Sequence, residues 1–239
     1  MTPVAANAPR LLYWGVKPRV VLFDIDNTIL WTGGAGSRAM ALAFRDLYGI
    51  EDGFRGVEFS GRTDTAIFRD ALRAHGLLDG HFEEELERFK RAYLARLPYT
   101  LRTTTGGGVY PGIRELASAL RERGAAVGLE TGNFREGGLL KLRHYGVDSL
   151  FQDGAFGDDA EDRAELVRIA IERLRPVPDA EVYVIGDTPH DVTAARANGA
   201  FALGVATGKS SVEELRAAGA DAALRDCSDV EAVLRILGF

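Results

Sequence analysis

The sequence predicts an α/β protein with a doubly wound parallel sheet and a small all-helical cap inserted after the first strand. Three observations lead to this fold class. Short runs of residues are apolar on both faces, as in parallel strands that helices cover on each side. Amphipathic helical patterns separate the later runs, so strand and helix alternate. The long segment after the first run carries helical patterns only, which indicates a separate helical unit.

Five apolar runs are candidates for the strands of this Rossmann-like core. The first is "RVVLFDI", which begins at Arg19, and the second is "AAVGLE" at 125–130. They are followed by "EVYVIG" at 181–186, "AFALGVA" at 200–206 and a short "DAAL" at 221–224. Several helical patterns between them end in glycine, which is common at helix C-termini. Parallel strands joined in this way have their carboxyl ends at one edge of the sheet.

The segment between Thr28 and about Tyr110 offers no convincing strand pattern. It carries three amphipathic helical patterns between two glycine-rich stretches, "TGGAG" at 32–36 and "TTTGGG" at 103–108. Glycines relax the backbone and permit hinge rotation, although the glycines alone fit ordinary loops better. We therefore predict an N-terminal tail at 1–16, an α/β catalytic core at 17–34 and 106–239, and a helical cap domain at 35–105.

Composition and charge exclude several classes of protein. The chain has 239 residues and a net charge of −6, which argues against a nucleic-acid partner. No apolar run approaches the roughly 18 residues that span a membrane, and the N-terminus lacks the pattern of a signal peptide. The single cysteine, Cys227, has no partner for a disulfide, which favours a reducing compartment. We therefore expect a cytoplasmic protein that is a monomer or a homodimer.

Polar side chains follow three of the apolar runs, at the points where strands should end. Asp24 and Asp26 close the first run, Thr131 follows the second, and Asp187 and Asp191 follow the third. In an open parallel sheet, these positions meet at the edge where ligands bind. So much negative charge would weaken folding unless a cation compensates it. Mg²⁺, which prefers oxygen ligands and combines carboxylates with a substrate phosphate, is the cation that this arrangement predicts.

The order of these motifs resembles that of the haloacid dehalogenase superfamily. "DIDNT", which begins at Asp24, fits the DxDxT signature, "LETGN" is similar to the second motif, and "VIGDTPHDV" is similar to the fourth. The matches occur in the family's order and span residues 20–206. The helical insertion lies where the family's first type of cap is found, as in phosphoglycolate phosphatases. The resemblance implies a Mg²⁺-dependent phosphatase that acts on a small phosphorylated metabolite.

The resemblance assigns roles to residues of the first two motifs. Asp24 matches the nucleophile that takes the phosphoryl group as an aspartyl phosphate. Asp26 matches the general acid that protonates the leaving oxygen and then, as a base, activates water. Thr131 matches the hydroxyl that binds phosphate, and Gly132 and Asn133 are expected to contact the substrate beside it.

The resemblance also implies a Mg²⁺ site. Asp24, the backbone carbonyl of Asp26 and Asp187 match its direct ligands. Asp191 matches either an outer carboxylate or a further ligand. The charge of the metal lets an anionic nucleophile approach a phosphoryl group.

The third motif departs from the family pattern. The family usually has a lysine at the start of the helix before the third of these strands, where it pairs with the nucleophile and the phosphate. This sequence has "GDDAEDRAEL" there and no lysine between Lys141 and Lys209. We assign the role to Arg163, which begins this helix, because a guanidinium can bridge phosphate and carboxylate. Lys141, in the middle of the helix after Thr131, lies too early in the chain for this role.

A loop of the predicted cap, "FSGRTDTAI", leads into a helix at Thr63 or Asp64. Related capped enzymes use a residue of this loop to meet the substrate. Arg62 is therefore a candidate contact for a substrate phosphate or carboxylate. A solvated arginine in a helix-capping turn fits the sequence equally well, and both interpretations stay open.

Two other functions are compatible with parts of the pattern. A phosphomutase of the β-phosphoglucomutase type shares the nucleophile, acid, metal and cap, and differs in excluding water long enough to return the phosphate. A phospho-acceptor signalling domain of the receiver type also clusters aspartates at a sheet end. Receivers are shorter, have no helical insertion after the first strand and carry the acceptor on a middle strand, so the enzymatic interpretations are favoured.

Overall fold

The computed structural model describes residues 17–174 and 179–239. The strands are β1 (Arg19–Phe23), β2 (Leu30–Trp31), β3 (Gly108–Val109), β4 (Ala126–Glu130), β5 (Gly154–Ala155), β6 (Glu181–Gly186), β7 (Phe201–Val205) and β8 (Ala222–Leu224). The α-helices are α1 (Ala35–Tyr48), α2 (Asp64–Ala74), α3 (Phe82–Thr103), α4 (Ile113–Glu122), α5 (Arg135–His144), α6 (Arg163–Leu174), α7 (Pro189–Ala197), α8 (Val212–Ala217) and α9 (Val230–Ile236). A short 3-10 helix occupies Asp148–Leu150.

Six of these strands form one parallel sheet in the order β5-β4-β1-β6-β7-β8. Strand β1 lies in the middle, where Leu22 pairs with Gly128 of β4 on one side and with Val184 of β6 on the other. Helices α4, α5 and α9 pack on one face of the sheet, and α6, α7 and α8 pack on the other. The doubly wound α/β class predicted from the sequence is therefore confirmed.

Strand β1 is apolar on both faces because helices cover both. Val21 and Phe23 belong to the apolar cluster on the α4 side, whereas Val20 and Leu22 belong to the cluster on the α6 side. All four side chains are fully buried. Burial of each such side chain contributes roughly 1.5–3 kcal/mol. This packing anchors the strand that carries Asp24 at its end.

Helices α1, α2 and α3 form a helical unit with an apolar core of its own. This core is rich in aromatic rings, including Phe44, Phe68 and Phe89. Phe68 and Phe89 stack with ring centroids 4.1 Å apart. Phe134, which precedes α5, packs into the same cluster, so the helical unit rests on the α/β core.

The helical unit of α1, α2 and α3 is called the cap below. Helix α1 begins at Ala35 and α3 ends at Thr103, inside 35–105. The predicted tail at 1–16 lies outside the described residues. Among the residues that the structure describes, no helix is both long enough and apolar enough to cross a bilayer.

The prediction that no strand lies between Thr28 and Tyr110 is wrong at both ends of this segment. Strands β2 and β3 form a two-stranded antiparallel pair in which Leu30 lies opposite Val109. Two residues per strand are too few to produce an alternating pattern in the sequence. The same reason explains why the sequence did not predict β5, which pairs with β4. The pair places the chain that enters the cap beside the chain that leaves it.

The carboxyl ends of β1, β4 and β6 lie side by side in the middle of the sheet. The strand order reverses here, because β4 lies on one side of β1 and β6 lies on the other. Open α/β sheets bind ligands outside the strand ends at such a point. The residues that follow these three strands include Asp24, Thr131 and Asp187.

Candidate active site

The chain leaves β1 through a turn that presents two carboxylates. The N–H of Asp24 donates to the Ile185 carbonyl at 3.0 Å, which extends the pairing with β6. Asn27 has a φ of 63°, in the left-handed region that asparagine tolerates better than most residues. Its N–H donates to the Leu30 carbonyl at 2.8 Å and closes the turn. Asp24 is buried by this arrangement, whereas Asp26 is half-buried.

Asp24, Asp187 and Asp191 form a buried cluster of carboxylates. One oxygen from each lies within 4.8 Å of the others. Oδ2 of Asp187 is buried and has no hydrogen-bond partner among the described residues. Burial, followed by the charges of Asp191 and Asp24, raises the pKa of Asp187 to about 9. An unpaired buried oxygen in a set of hard oxygen ligands fits a divalent cation such as Mg²⁺, whose charge favours the ionised carboxylates.

Arg163 supplies positive charge next to Asp24. It is the first residue of α6, and its side chain is only 10% exposed. Its Nη1 lies 3.6 Å from Oδ1 of Asp24, while Nη2 donates to Glu130 at 2.9 Å and to Asp191. Burial raises the pKa of Asp24 to about 7, and the Arg163 charge opposes this shift. The guanidinium predicted at the third motif therefore faces the candidate nucleophile.

The N-terminus of α7 holds Asp191. Its Oδ2 accepts hydrogen bonds from the Thr188 N–H at 2.9 Å and from the Thr188 hydroxyl at 2.7 Å, as part of a capping box. Its Oδ1 accepts from Arg163. The resemblance leaves open whether Asp191 is a direct Mg²⁺ ligand or an outer carboxylate. Because both of its oxygens already accept hydrogen bonds, the geometry favours the outer carboxylate.

A second cation, Lys141, contacts Asp26. Its Nζ lies 2.5 Å from Oδ2 of Asp26 and 2.5 Å from Oδ1 of Asn133. The Asn133 amide donates to Asp26 at 2.9 Å and to the Thr131 hydroxyl at 2.8 Å. Asn133 and Lys141 thus fix the orientation of Asp26 relative to Thr131. The two carboxylates of the first motif therefore have different cationic neighbours.

The cap contacts the loop after Thr131 closely. The Gly132 carbonyl accepts from the Asp64 N–H at 2.7 Å, and the Asp64 carboxylate accepts from the Phe134 N–H at 2.8 Å. A Cβ on Gly132 would lie 2.3 Å from the Arg62 carbonyl oxygen, so this approach requires glycine. Burial raises the pKa of Asp64 to about 7. The sequence pattern does not distinguish Asp64 from an ordinary helix-start residue.

A cavity of about 360 Å³ lies between the cap and the edge of the sheet. Its lining includes most of the site residues predicted from the sequence: Asp24, Asp26, Arg62, Thr131, Gly132, Asn133, Arg163 and Asp187. Asp191 does not line the cavity and lies against Arg163 behind it. The guanidinium of Arg62 is paired with Asp70 of α2 at 2.7 Å, so its nearest partner is within the cap.

A family model described as haloacid dehalogenase-like hydrolase matches residues 18–199, a range that contains Asp24, Thr131, Arg163, Asp187 and Asp191. This chain belongs to that family. The family predicted from the motifs is therefore confirmed.

Two curated relatives of this haloacid dehalogenase-like hydrolase differ in their described activities. The phosphoglycolate phosphatase of Synechococcus elongatus is 31% identical over 222 residues, which cover 92% of this chain and 99% of that enzyme. The tyrosine-protein kinase PtkA of Mycobacterium tuberculosis is 28% identical over 193 residues, which cover 77% of this chain and 61% of PtkA. The chain therefore spans less than two thirds of the length of PtkA. The predicted resemblance to phosphoglycolate phosphatases is confirmed.

A solved structure has the same fold. The crystal structure of a protein described as a predicted phosphatase from Clostridium acetobutylicum aligns with a TM-score of 0.70. The alignment covers 94% of this chain and 100% of that chain, at 22% identity. At this identity the match supports the fold of the haloacid dehalogenase-like hydrolases and carries no argument about the substrate.

Lys141 also reaches the site, but through Asp26 rather than through Asp24, which Arg163 faces. Helix α5 turns a face with Gly137 and Gly138 toward the protein interior, and Lys141 shares this face at the i+4 and i+3 spacing. Its side chain is only 5% exposed. A lysine at helical spacing from two glycines of a buried face is the signal that could have identified it.

Proposed function

We propose that this protein is a Mg²⁺-dependent phosphatase that hydrolyses a small phosphorylated metabolite, a monoester resembling phosphoglycolate, through an aspartyl phosphate on Asp24. The observation that carries the proposal is the position of Asp24, which belongs to the carboxylate cluster and lies 3.6 Å from the Arg163 guanidinium. A carboxylate between a guanidinium and a bound cation can approach an anionic phosphoryl group. The similarity to the Synechococcus phosphatase supports the same reaction.

Each residue of the site has a step in this reaction. Asp24 attacks phosphorus, and the bond from phosphorus to the leaving oxygen breaks as the acyl phosphate forms. Asp26 gives a proton to the leaving oxygen and later takes one from the water that hydrolyses the acyl phosphate. The Thr131 hydroxyl and Arg163 hold the phosphoryl oxygens during both steps. The charge that Mg²⁺ supplies, when held by Asp24 and Asp187, offsets the negative charge of the phosphoryl group.

The cavity supports a small substrate. Its volume of about 360 Å³ lies at the low end for ligand pockets. Arg62 and Lys209 also line it, and Lys209 has only a loose contact with Glu58 at 3.9 Å. These two cations favour a monoester that carries a second anionic group, such as a carboxylate.

Asp26→Asn should separate substrates by their leaving groups. An alkyl alkoxide needs a proton as it departs, so we expect kcat/KM for an alkyl phosphate to fall about 10²- to 10⁴-fold. A nitrophenolate departs without a proton, and the loss with nitrophenyl phosphate should be much smaller. The two values are measured by phosphate release. Asp46→Asn, which removes a carboxylate exposed on the cap, is the control, and equal losses on both substrates would argue against a general acid at position 26.

Lys141→Met tests whether the reaction needs the second cation. Without the ammonium, Asp26 and Asn133 lose their shared donor, so we expect kcat to fall about 10- to 100-fold. Arg163→Ala should cost more, because Arg163 faces Asp24 itself. Lys17→Met is the matched control, because its ammonium is exposed and lies 3.9 Å from Glu181. Wild-type kcat in Lys141→Met would limit Lys141 to a role in stability.

A kinetic screen tests the proposed substrate class. Phosphate release with Mg²⁺ is compared for phosphoglycolate, sugar phosphates, nucleotides and pyrophosphate, and we expect the highest kcat/KM for small anionic monoesters. Interconversion of glucose phosphates without net release of phosphate would instead identify the mutase alternative. No release from any substrate above the level of the denatured protein would reject the phosphatase.

A further inference from the structure

Glu130 is a buried carboxylate to which the reaction described above assigns no step. It is the last residue of β4 and its side chain is fully buried. Its Oε1 accepts from Nη2 of Arg163 at 2.9 Å, and its Oε2 has no hydrogen-bond partner among the described residues. Burial raises the pKa of this carboxyl well above its usual range. Burying a carboxylate costs free energy, so a contact that makes this residue useful at its position is expected.

Part of the surroundings of Glu130 is apolar. Residues alternate along β4, so Glu130 shares a face with Gly128, where a Cβ would meet Leu174 of α6. The same face packs on the buried residues Leu166 and Val167 of α6. Packing alone therefore gives no reason for a carboxylate at this position.

The contacts of Arg163 supply the reason. A guanidinium is a planar fork, so fixing one nitrogen also fixes the direction of the others. Nη2 is held by Glu130 and Asp191, whereas Nη1 lies 3.6 Å from Asp24, beyond hydrogen-bond distance. Nη1 therefore keeps donors for an incoming oxygen. Asp191 also accepts from Thr188, whereas Arg163 is the one described residue that donates a hydrogen bond to the Glu130 side chain.

We propose that Glu130 is a positioning residue that holds the guanidinium of Arg163 so that Nη1 stays directed at Asp24 and at the phosphoryl group. The inference rests on the proposed phosphatase reaction. A lysine has a single nitrogen and needs no such holder, so Glu130 and Arg163 form a matched pair. We therefore expect that replacing Glu130 has little effect on activity once Arg163 has been replaced by lysine.

The first test is Glu130→Met, which fills the volume but removes the acceptor. We expect kcat per folded molecule on an aryl phosphate to fall about tenfold or more, because a small misplacement of a catalytic group has this effect. KM should change much less, and the melting temperature reports how far the loss of one partner of this buried ion pair destabilises the fold. Glu130→Gln keeps a carbonyl acceptor and should retain more activity than the methionine variant. Wild-type kcat in Glu130→Met would overturn the proposal.

A double-mutant cycle separates positioning from general damage. In the Arg163→Lys background, Glu130→Met should cost little or even restore activity, since a lysine does not use the holder. The same fold-loss in both backgrounds would overturn the proposal. Glu165→Met is the matched control, because Glu165 is exposed on the first turn of α6 and pairs with Arg168, and its kcat should equal that of the wild type.

An NMR measurement tests the proposal without turnover. Rotation of the Arg163 guanidinium about its Nε–Cζ bond should be slow in the wild type and faster in Glu130→Gln, with the signal assigned by its loss in Arg163→Lys. This measurement also serves if Glu130→Met does not fold. Equal rotation rates would overturn the positioning role. A wild-type protein without phosphatase activity would reject the proposed function, and the rotation rates would still decide whether Glu130 holds Arg163.

Discussion

Asp24→Asn should abolish turnover while the protein stays folded. An amide cannot act as the nucleophile, so we expect phosphate release to fall by about 10³-fold or more. The carboxyl is buried and its pKa is raised to about 7 by burial, so a neutral isostere should not harm the fold. Phosphate release and thermal unfolding, measured on the same preparation, check both parts.

Asp46→Asn is the control for Asp24→Asn, because Asp46 is on the surface of the cap and pairs with Arg96. It should retain wild-type turnover. Retained turnover in Asp24→Asn would reassign the nucleophile. A large drop in the melting temperature would instead assign Asp24 a structural role.

Removal of the metal should also cause a large loss of activity. Chelation leaves Asp24, Asp187 and Asp191 without the positive charge that their cluster requires, so we expect activity to fall at least about 10²-fold and to return with added Mg²⁺. Asp187→Asn should raise the Mg²⁺ concentration needed for half-maximal activity, because it removes the unpaired Oδ2. Full activity after exhaustive chelation would contradict a metal-dependent reaction.

The pH dependence of Mg²⁺ binding follows from the same carboxylates. Without metal, burial and neighbouring charges raise the pKa of Asp187 to about 9, and burial raises that of Asp24 to about 7. Mg²⁺ must displace these protons, so its apparent affinity should rise with pH toward 9, by about tenfold per unit for each proton displaced. Titrations of activity against Mg²⁺ at several pH values measure this slope, and a flat profile would count against it.

The folding stability of the metal-free protein should fall as the pH rises, whereas the Mg²⁺ affinity should increase. Both pKa values lie above the value of about 3.9 for an unfolded aspartate, so the folded state binds protons more tightly than the unfolded state. The contribution of these groups to stability is greatest below about pH 4 and is lost as the pH rises through 7 and 9. Mg²⁺ should therefore raise the melting temperature most at alkaline pH.

Much of the site was predictable because the apolar runs show where the strands end. Asp24, Thr131 and Asp187 follow apolar runs that only a buried parallel strand explains, and such runs end at one edge of the sheet. Arg163 was predictable as the basic residue at the start of a helix. In each case the main chain alone brings the residue to the site.

Lys141 and Glu130 were harder to identify, because what their side chains contact depends on how the helices pack on the sheet. Lys141 reaches Asp26 from the second turn of α5, which depends on how that helix packs on the core. Glu130 ends an apolar run, and the sequence does not show which residue its carboxylate contacts. The pairing of Arg62 with Asp70 likewise depends on how the loop before α2 folds against that helix. Apart from the helical spacing of Lys141 from Gly137 and Gly138, these contacts leave no periodic signal in the sequence.

Trapping of the acyl phosphate tests the central claim most directly. The protein is mixed with Mg²⁺ and a phosphate monoester, quenched in acid during turnover and reduced with borohydride, which converts an aspartyl phosphate to an alcohol. Peptide mass spectrometry then locates the reduced residue. We predict reduction at position 24 alone, dependent on substrate and absent in Asp24→Asn. Reduction at another carboxylate, or none during measurable turnover, would contradict a phosphatase that works through Asp24.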